Sequence, residues 1–389
     1  MSDSIVITAA RRTAIGSFQG QFASLANHQL GTAAIRAVLA DSGLPGDQIS
    51  EVLMGCVLPA GAGQAPARQA SLGAGLPYST GCTTLNKVCG SGMKAVMIGH
   101  DAIRAGSADV VIAGGMESMT NAPYLVKRGL RMGHDQLLDH MFYDGLQNPY
   151  DGQMMGGFGE KCAARYDFTR EQQDDFSRAS VERANRAIQE GLFNNEITPV
   201  TVKSRKGEAE IDTDEEPGRV DIGKIPGLRP AFAKDGTITA ASSSKISDGA
   251  AAVMLMTAES ARARGLEPLA RIVAHATHSQ EPEWFTTAPV GAIAKVLDSA
   301  GWTADQVDLY EINEAFATVT MAAMKEHDLP HEKVNIHGGA CALGHPIGCS
   351  GARLLVTLIH ALKTTGGKRG VASLCIGGGE ATAIAVEID

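Results

Sequence analysis

The sequence predicts an α/β protein built as two similar halves, with one large segment inserted into the first. Two observations carry that prediction. The chain nearly repeats itself, and strand-like and helix-like runs alternate through each copy. A third observation is a long middle stretch with no counterpart elsewhere.

The segment "VLADSGLPGDQISEV" (38–52) aligns without a gap on "VLDSAGWTADQVDLY" (296–310), an offset of 258. Each copy reads as a helix ending at a glycine (Gly43, Gly301), a short turn and then a strand. Further on, "SGMKAVMIGHDAIRAGSADVVIAGG" (91–115) pairs with "SGARLLVTLIHALKTTGGKRGVASLCIGGG" (350–379), starting at an offset of 259. Both read as helix, strand and glycine cluster. The stretch 119–248 has no partner; it holds a helix-like run at 169–191 and a charge-alternating polar run at 203–219. The expected organisation is a first core half from 1–118 and 249–270, an inserted loop domain at 119–248, and a second core half at 271–389.

With 389 residues, 44% hydrophobic content and 45 glycines, the chain is globular and rich in tight turns. A net charge of −9 argues against a nucleic-acid partner. The opening "MSDSIVITAARRTAIG" lacks a basic region followed by a long apolar stretch, no apolar run is long enough for a bilayer, and "AVEID" carries no sorting address. No membrane partner is expected, and the expected location is cytoplasmic. The seven cysteines (56, 82, 89, 162, 341, 349, 375) are odd in number and form no C-x-x-C pair, so neither a disulfide framework nor a structural zinc is expected.

Among these thiols, Cys89 stands apart. In "NKVCGSGMKA" (86–95) it precedes Gly90, Ser91 and Gly92, which open a helix. Glycines allow close backbone approach, and unpaired N–H groups at a helix start favour a thiolate. Under the repeat Cys89 corresponds to Gly348 in "GGACALGHPIGCSGAR" (338–353). If the halves pack about an approximate two-fold axis, the two helix starts face each other. His345 then lies across from Cys89, and "CIGGGE" (375–380) borders the same cleft.

Together "NKVCGSGMKA", "AGGMESM", "INEAFA", "GGACALGHPIGCSGAR" and "CIGGGEATA" resemble the thiolases from one end of the chain to the other. The "CGSG" form is closer to the branch that condenses two acetyl-CoA to acetoacetyl-CoA and CoA than to the degradative 3-ketoacyl-CoA branch, which is the alternative. The resemblance implies a thiolase-like five-layered αβαβα fold, a loop domain that holds CoA, and a homo-oligomer, either a tetramer or a dimer. It implies acetyl-CoA, acetoacetyl-CoA and CoA as substrates and products, with no separate cofactor and no metal.

The resemblance also assigns roles. Cys89 is the nucleophile that becomes acetylated, and His345 accepts its proton. Cys375 is the acid and base at the substrate α-carbon. Backbone N–H groups of Cys89 and Gly377 hold one oxyanion, while His345 and a water fixed by Asn313 hold the enolate oxygen. Ser244 meets the pantetheine and Arg219 the adenine end. Met154 stands where many short-chain members carry a histidine, followed by Met155, and Phe285 falls where the acyl pocket is lined. Asn313 and Glu314 also stand where they could cap the helix "EAFATVTMAAMKEH".

Two rivals share the fold. A ketoacyl synthase leaves Cys375 unexplained, and a non-catalytic acyl-CoA carrier leaves the Cys89, His345 and Cys375 set unexplained. No phosphate-binding G-x-x-x-x-G-K-[ST] or G-x-S-x-G elbow is present, and neither His327/His331 nor His275/His278 offers a helical metal pair.

Overall fold

The structure, a computed structural model, describes residues 4–129, 132–205 and 207–388. Nine strands build its main sheet path: β1 (Ile5–Thr13), β2 (Glu51–Gly55), β3 (Gly81–Leu85), β4 (Val111–Ser118), β5 (Ser247–Thr257), β6 (Ala270–Ser279), β7 (Leu309–Ile312), β8 (Arg369–Ile376) and β9 (Glu380–Glu387). Their order is β7-β8-β9-β6-β1-β5-β4-β2-β3. In the first half β3, β2 and β4 run parallel, and β5 lies antiparallel between β4 and β1. In the second half β7 and β8 are parallel, while β9 runs antiparallel to both β8 and β6. The halves join where β1 touches β6, at Val6–Arg271 and Ile7–Ala270.

Side-chain alternation along these strands creates five layers. On β2, Val52 and Met54 face α1 (Asn27–Ser42), where Leu30, Ala34, Ile35 and Val38 cover them. Leu53 faces the opposite way, into a core filled by α3 (Ser91–Arg104) and α8 (Ser350–Thr365). Strand β5 divides likewise, with Met254 and Met256 outward and Val253 and Leu255 inward. The far face of the second half's strands is closed by Ile293, Val296 and Leu297 of α6 (Ala288–Ala300). The strands of each half are thus covered on both faces, which explains their near-continuous apolar sequences. The layer order is αβαβα, with α3 and α8 in the middle. Helices α2 (Pro66–Gly73), α4 (Met155–Tyr166), α5 (Arg170–Gln189) and α7 (Ala317–Glu326) complete the larger helices.

The internal repeat is realised residue by residue. Helices α1 and α6 end at Gly43 (φ 61°) and Gly301 (φ 70°), both left-handed as a glycine terminator requires. Short 3-10 turns follow at Gly46–Gln48 and Ala304–Gln306, then β2 and β7.

The unmatched stretch packs on this frame. Thr169 caps α5, its hydroxyl accepting from the Gln172 N–H while the Gln172 side chain returns to the Thr169 N–H. The polar run from 203 falls partly in a hairpin, Val200–Ser204 with Gly207–Ile211, so backbone pairing overrides its loop-like composition. Arg12 of β1 ties the segment down: buried and 0% exposed, it pairs with Glu196 at 2.5 Å and Asp214 at 2.8 Å. Removing one partner of such a buried set costs about 3–5 kcal/mol. Among the described residues no helix is long and apolar enough to cross a membrane.

Candidate active site

Cys89 sits in a turn between β3 and α3 that the sequence does not fully anticipate. Val88, immediately before it, has φ 46°, a left-handed conformation unusual for a β-branched residue. Three bonds hold that strained turn. Asn86 Oδ1 accepts the Val88 N–H at 2.8 Å, Ser91 Oγ accepts the Lys87 N–H at 2.8 Å, and the Ser91 hydroxyl donates to the Val88 carbonyl at 2.7 Å. The Lys87–Glu380 ion pair (2.5 Å) fastens the turn to the end of "CIGGGE".

The two helix starts meet as the repeat predicts. A Cβ on Gly92 would lie 2.9 Å from the Ala352 nitrogen, and one on Gly351 would lie 2.5 Å from the Met93 nitrogen. These are equivalent glycines, and each lets the other helix's backbone through. A Cβ on Gly90 would strike Ile376, which follows Cys375. Sterically, then, the helix starts approach this closely because Gly92 and Gly351 carry no side chain.

At this junction the backbone N–H groups of Gly377 and of Cys89 itself act to lower the part-buried Cys89 thiol. Burial nevertheless dominates and pushes the thiol up to about 11. This corrects the expectation of a thiol made acidic by its helix start: the two donors act against a larger desolvation cost. Cys375 is buried, and its thiol is raised well above the ordinary value by burial first and then by the nearby Cys89. Proximity of the two thiols is itself the cause of that second contribution.

His345 projects from the loop before α8. Its Nδ1 lies 2.6 Å from Ser350 Oγ, and Asn313 Nδ2 lies 3.4 Å from Nε2. Burial, followed by the charge of Arg353, lowers the imidazole to about 3, so it is neutral at physiological pH. Asn313 Oδ1 is buried without a protein partner. The helix-cap role for Asn313 and Glu314 is not what the structure shows. Helix α7 begins at Ala317, with Phe316 at its cap position and no side-chain cap bond. Glu314 instead turns into the core, accepting from Ser180, Asn335 and the Cys341 N–H.

A cavity of about 490 Å³ leads to His345 and is lined by Met154, Met155, Ser244 and Arg219. Ile347, on its wall, packs in one apolar cluster with Cys89. Phe285 is not on that wall. It is buried with Phe158, Phe316 and Cys375, edge-on to the Phe158 ring at 5.9 Å. A more open groove of about 810 Å³ runs between α1 and Thr198–Thr201, and none of the constellation borders it.

Several features were missed from sequence. Ser350 is one, although its repeat mate Ser91 was a usable signal. Phe232 and Lys245 of the cavity wall are others. Phe232 closes over Gly156, where a Cβ would overlap its ring at 2.2 Å. Glu117, 0% exposed, accepts the N–H groups of Val57, Leu58 and Gly348 at 2.9–3.1 Å. It thereby fixes the loop carrying Gly348, and burial raises its carboxyl to about 7.

A two-half αβαβα fold sets one thiol at the start of α3, an imidazole before the start of α8 and a second thiol near the end of β8, an arrangement suited to an acyl-transfer enzyme. The chain belongs to the thiolase family: "Thiolase, N-terminal domain" matches residues 5–259 and "Thiolase, C-terminal domain" matches residues 266–388. It is 48% identical to the acetyl-CoA acetyltransferase of Pseudomonas aeruginosa, over 99% of each chain. It is 49% identical to acetyl-CoA acetyltransferase 2 of Arabidopsis thaliana, over 99% of this chain and 97% of that one. The crystal structure of the Bacillus anthracis acetyl-CoA acetyltransferase superposes with a TM-score of 0.96 at 39% identity, covering 99% and 98% of the two chains. The Acat5 thiolase of Ascaris suum, solved in complex with coenzyme A, gives 0.94 at 44% identity, covering 99% of each.

Proposed function

We propose that this chain is an acetyl-CoA C-acetyltransferase, converting two acetyl-CoA reversibly to acetoacetyl-CoA and CoA through an acetyl-Cys89 intermediate. The observation that carries the reading is the meeting of the two helix starts across Gly92 and Gly351, which sets Cys89 against the Cys375–Gly377 strand end and against Ile347, on the wall of the cavity that leads to His345.

In the first half-reaction the Cys89 sulfur attacks the thioester carbonyl while its proton passes to His345. With the thiol at about 11 and the imidazole at about 3, the resting pair is neutral, and proton transfer accompanies attack. The oxyanion takes the two N–H groups, each worth about 2.7–4 kcal/mol in the barrier. Collapse expels CoA, which takes its proton from Cys375 and leaves a Cys375 thiolate beside the His345 imidazolium. In the second half-reaction that thiolate removes the α-proton of another acetyl-CoA, for which its raised affinity for protons suits it. The enolate carbon attacks acetyl-Cys89, the same N–H pair holds the new oxyanion, and Cys89 leaves, regaining its proton from His345.

The Ser350 hydroxyl serves both steps. It lies within reach of the Pro346 carbonyl (2.9 Å) and of His345 Nδ1. Donating to Pro346, it accepts Nδ1–H and leaves Nε2 free as a base. Once Nε2 has taken the Cys89 proton, the same Nδ1–H bond persists and Nε2–H holds the enolate oxygen. Asn313, with its unpartnered Oδ1, fixes a water beside that oxygen.

The segment 119–248 supplies Met154, Met155, Phe232 and Arg219 to the cavity and so holds CoA, with Ser244 at the pantetheine and Arg219, together with Lys245, supplying positive charge for the phosphates. Phe285 sets acyl length indirectly, by backing Cys375. Exposed Tyr124, Val126 and Leu137, on and beside the hairpin of Tyr124–Leu125 with Leu138–Asp139, suit contact between copies, in a homo-tetramer or dimer. Two catalytic thiols that work only when reduced fit the cytoplasm.

Mass mapping after mixing with acetyl-CoA tests this reading. An acetyl mass on the Cys89 peptide, discharged by free CoA and missing in Cys89→Ser, supports it. Label on another cysteine alone, or none, refutes it.

A further inference from the structure

We propose that His100, Asp101 and His275 form a binding site for a borderline divalent metal ion of the Zn²⁺ type, which fastens helix α3 of the first half to strand β6 of the second. His100 Nδ1 lies 3.0 Å from Asp101 Oδ1, His275 Nε2 lies 2.9 Å from the same oxygen, and the two ring nitrogens are 3.2 Å apart. The rings meet edge-on, with centroids 4.8 Å apart and planes at 87°. Three donor atoms therefore outline a nearly equilateral triangle.

That triangle has the size of one face of a tetrahedral site. Zinc bonds of about 2.0–2.1 Å at the tetrahedral angle place neighbouring ligand atoms about 3.3 Å apart. Two imidazoles and one carboxylate are a donor set that zinc accepts, and they favour it over calcium or magnesium, which take mostly oxygen. The Asp101 side chain is 59% exposed, while those of His100 and His275 are 11% and 18% exposed. An ion can thus enter from the Asp101 side and keep a water as its fourth ligand. Arg104, one turn further along α3, opposes a cation there, and the Asp101 carboxylate offsets it.

The site is separate from the thiol chemistry. His100 lies eleven residues after Cys89, about 16 Å along the helix direction at 1.5 Å per residue. None of the three residues lines the cavity at His345. Sequence spacing hid it, because "HD" on a helix offers two ligands and the third arrives from a strand 174 residues later. An ion bound by the folded chain alone stabilises the fold by mass action and couples the two halves directly.

The test is calorimetric titration of metal-stripped, full-length protein with Zn²⁺, in a non-thiol reductant, with Asp101→Asn and His275→Gln alongside. One equivalent should bind the unsubstituted protein and raise its unfolding temperature. Both substitutions should weaken that event by about tenfold or more, while acetoacetyl-CoA thiolysis in zinc-free buffer stays unchanged. Co²⁺ in place of Zn²⁺ should give tetrahedral visible bands without a thiolate charge-transfer band. Equal zinc affinity in the unsubstituted and substituted proteins, no binding at all, or a thiolate band on Co²⁺ would overturn the proposal. If His275→Gln fails to fold, Asp101→Asn, with its carboxylate largely in solvent, decides.

Discussion

At the start of α3 the run Asn86-Lys87-Val88-Cys89-Gly90-Ser91-Gly92 occupies the place that His345-Pro346-Ile347-Gly348-Cys349-Ser350-Gly351 takes at the start of α8. The serines do the same local work, each hydroxyl donating to a carbonyl in the turn before it. Ser91 also accepts the Lys87 N–H, whereas Ser350 faces an imidazole. The first copy carries its thiol at the turn, against the Gly377 N–H. The second carries a thiol one residue later, 1% exposed and pushed by burial up to about 12. On the proposed mechanism this one-residue displacement separates a nucleophile from a packing group, and the two copies of one turn divide the labour between attack and proton transfer.

The comparison can be broken most sharply at the thiols. Cys89→Ser should lower acetoacetyl-CoA thiolysis by about 10⁴-fold or more, whereas Cys349→Ala should leave the rate within about twofold and cost about 1 kcal/mol of stability. Steady-state kinetics with urea melts reads both; equal losses of activity would erase the distinction between the copies.

The paired glycines test how closely the helix starts are locked. Gly351→Ala and Gly92→Ala should each destabilise by about 1–3 kcal/mol. The effect should be larger at Gly351, where the added carbon meets backbone at 2.5 Å rather than 2.9 Å. Denaturation midpoints would show the order.

His345 has no titratable counterpart in Asn86. Its folded pKa of about 3 lies below the unfolded 6.5, so the unfolded chain binds the proton first. Its burial therefore costs nothing above pH 6.5 and destabilises progressively as pH falls toward 3. The slope is at most about 1.4 kcal/mol per pH unit. The stability of His345→Gln relative to the parent should accordingly rise between pH 6.5 and 5. A pH-independent difference would contradict a buried neutral imidazole.

The smallest effect separates the serines. Ser350→Ala should cut kcat roughly tenfold, leave KM little changed and move the pH profile. Ser91→Ala should lower stability while leaving the profile in place.

Much of this was legible because the repeat fixes two registers at once. Gly43 and Gly301 mark equivalent helix ends, and aligning Cys89 on Gly348 brings His345 near before any coordinates are known. What stayed hidden depends on tertiary surroundings. Val88 shows no sign in its residue type of the left-handed turn forced on it. The Cys89 thiol rises rather than falls because the packing of two halves, unseen in ten residues of motif, removes water from it. Phe232 reaches the cavity from a loop with no periodicity, and the cap open to Glu314 in the local pattern gives way to its long-range partners Ser180 and Asn335.

The placement of β5 has a consequence for how the chain is made. Strand β1 finds its long antiparallel partner only in residues 247–257, and the inner edge of β4 waits for the same strand. Between the end of β4 at Ser118 and the start of β5 at Ser247, a ribosome working at about 5–20 residues per second spends roughly 6–25 s. Through that interval the nascent first half offers an apolar, unpaired strand edge to its surroundings. A chaperone that shields such edges therefore has its window while the inserted segment is being synthesised.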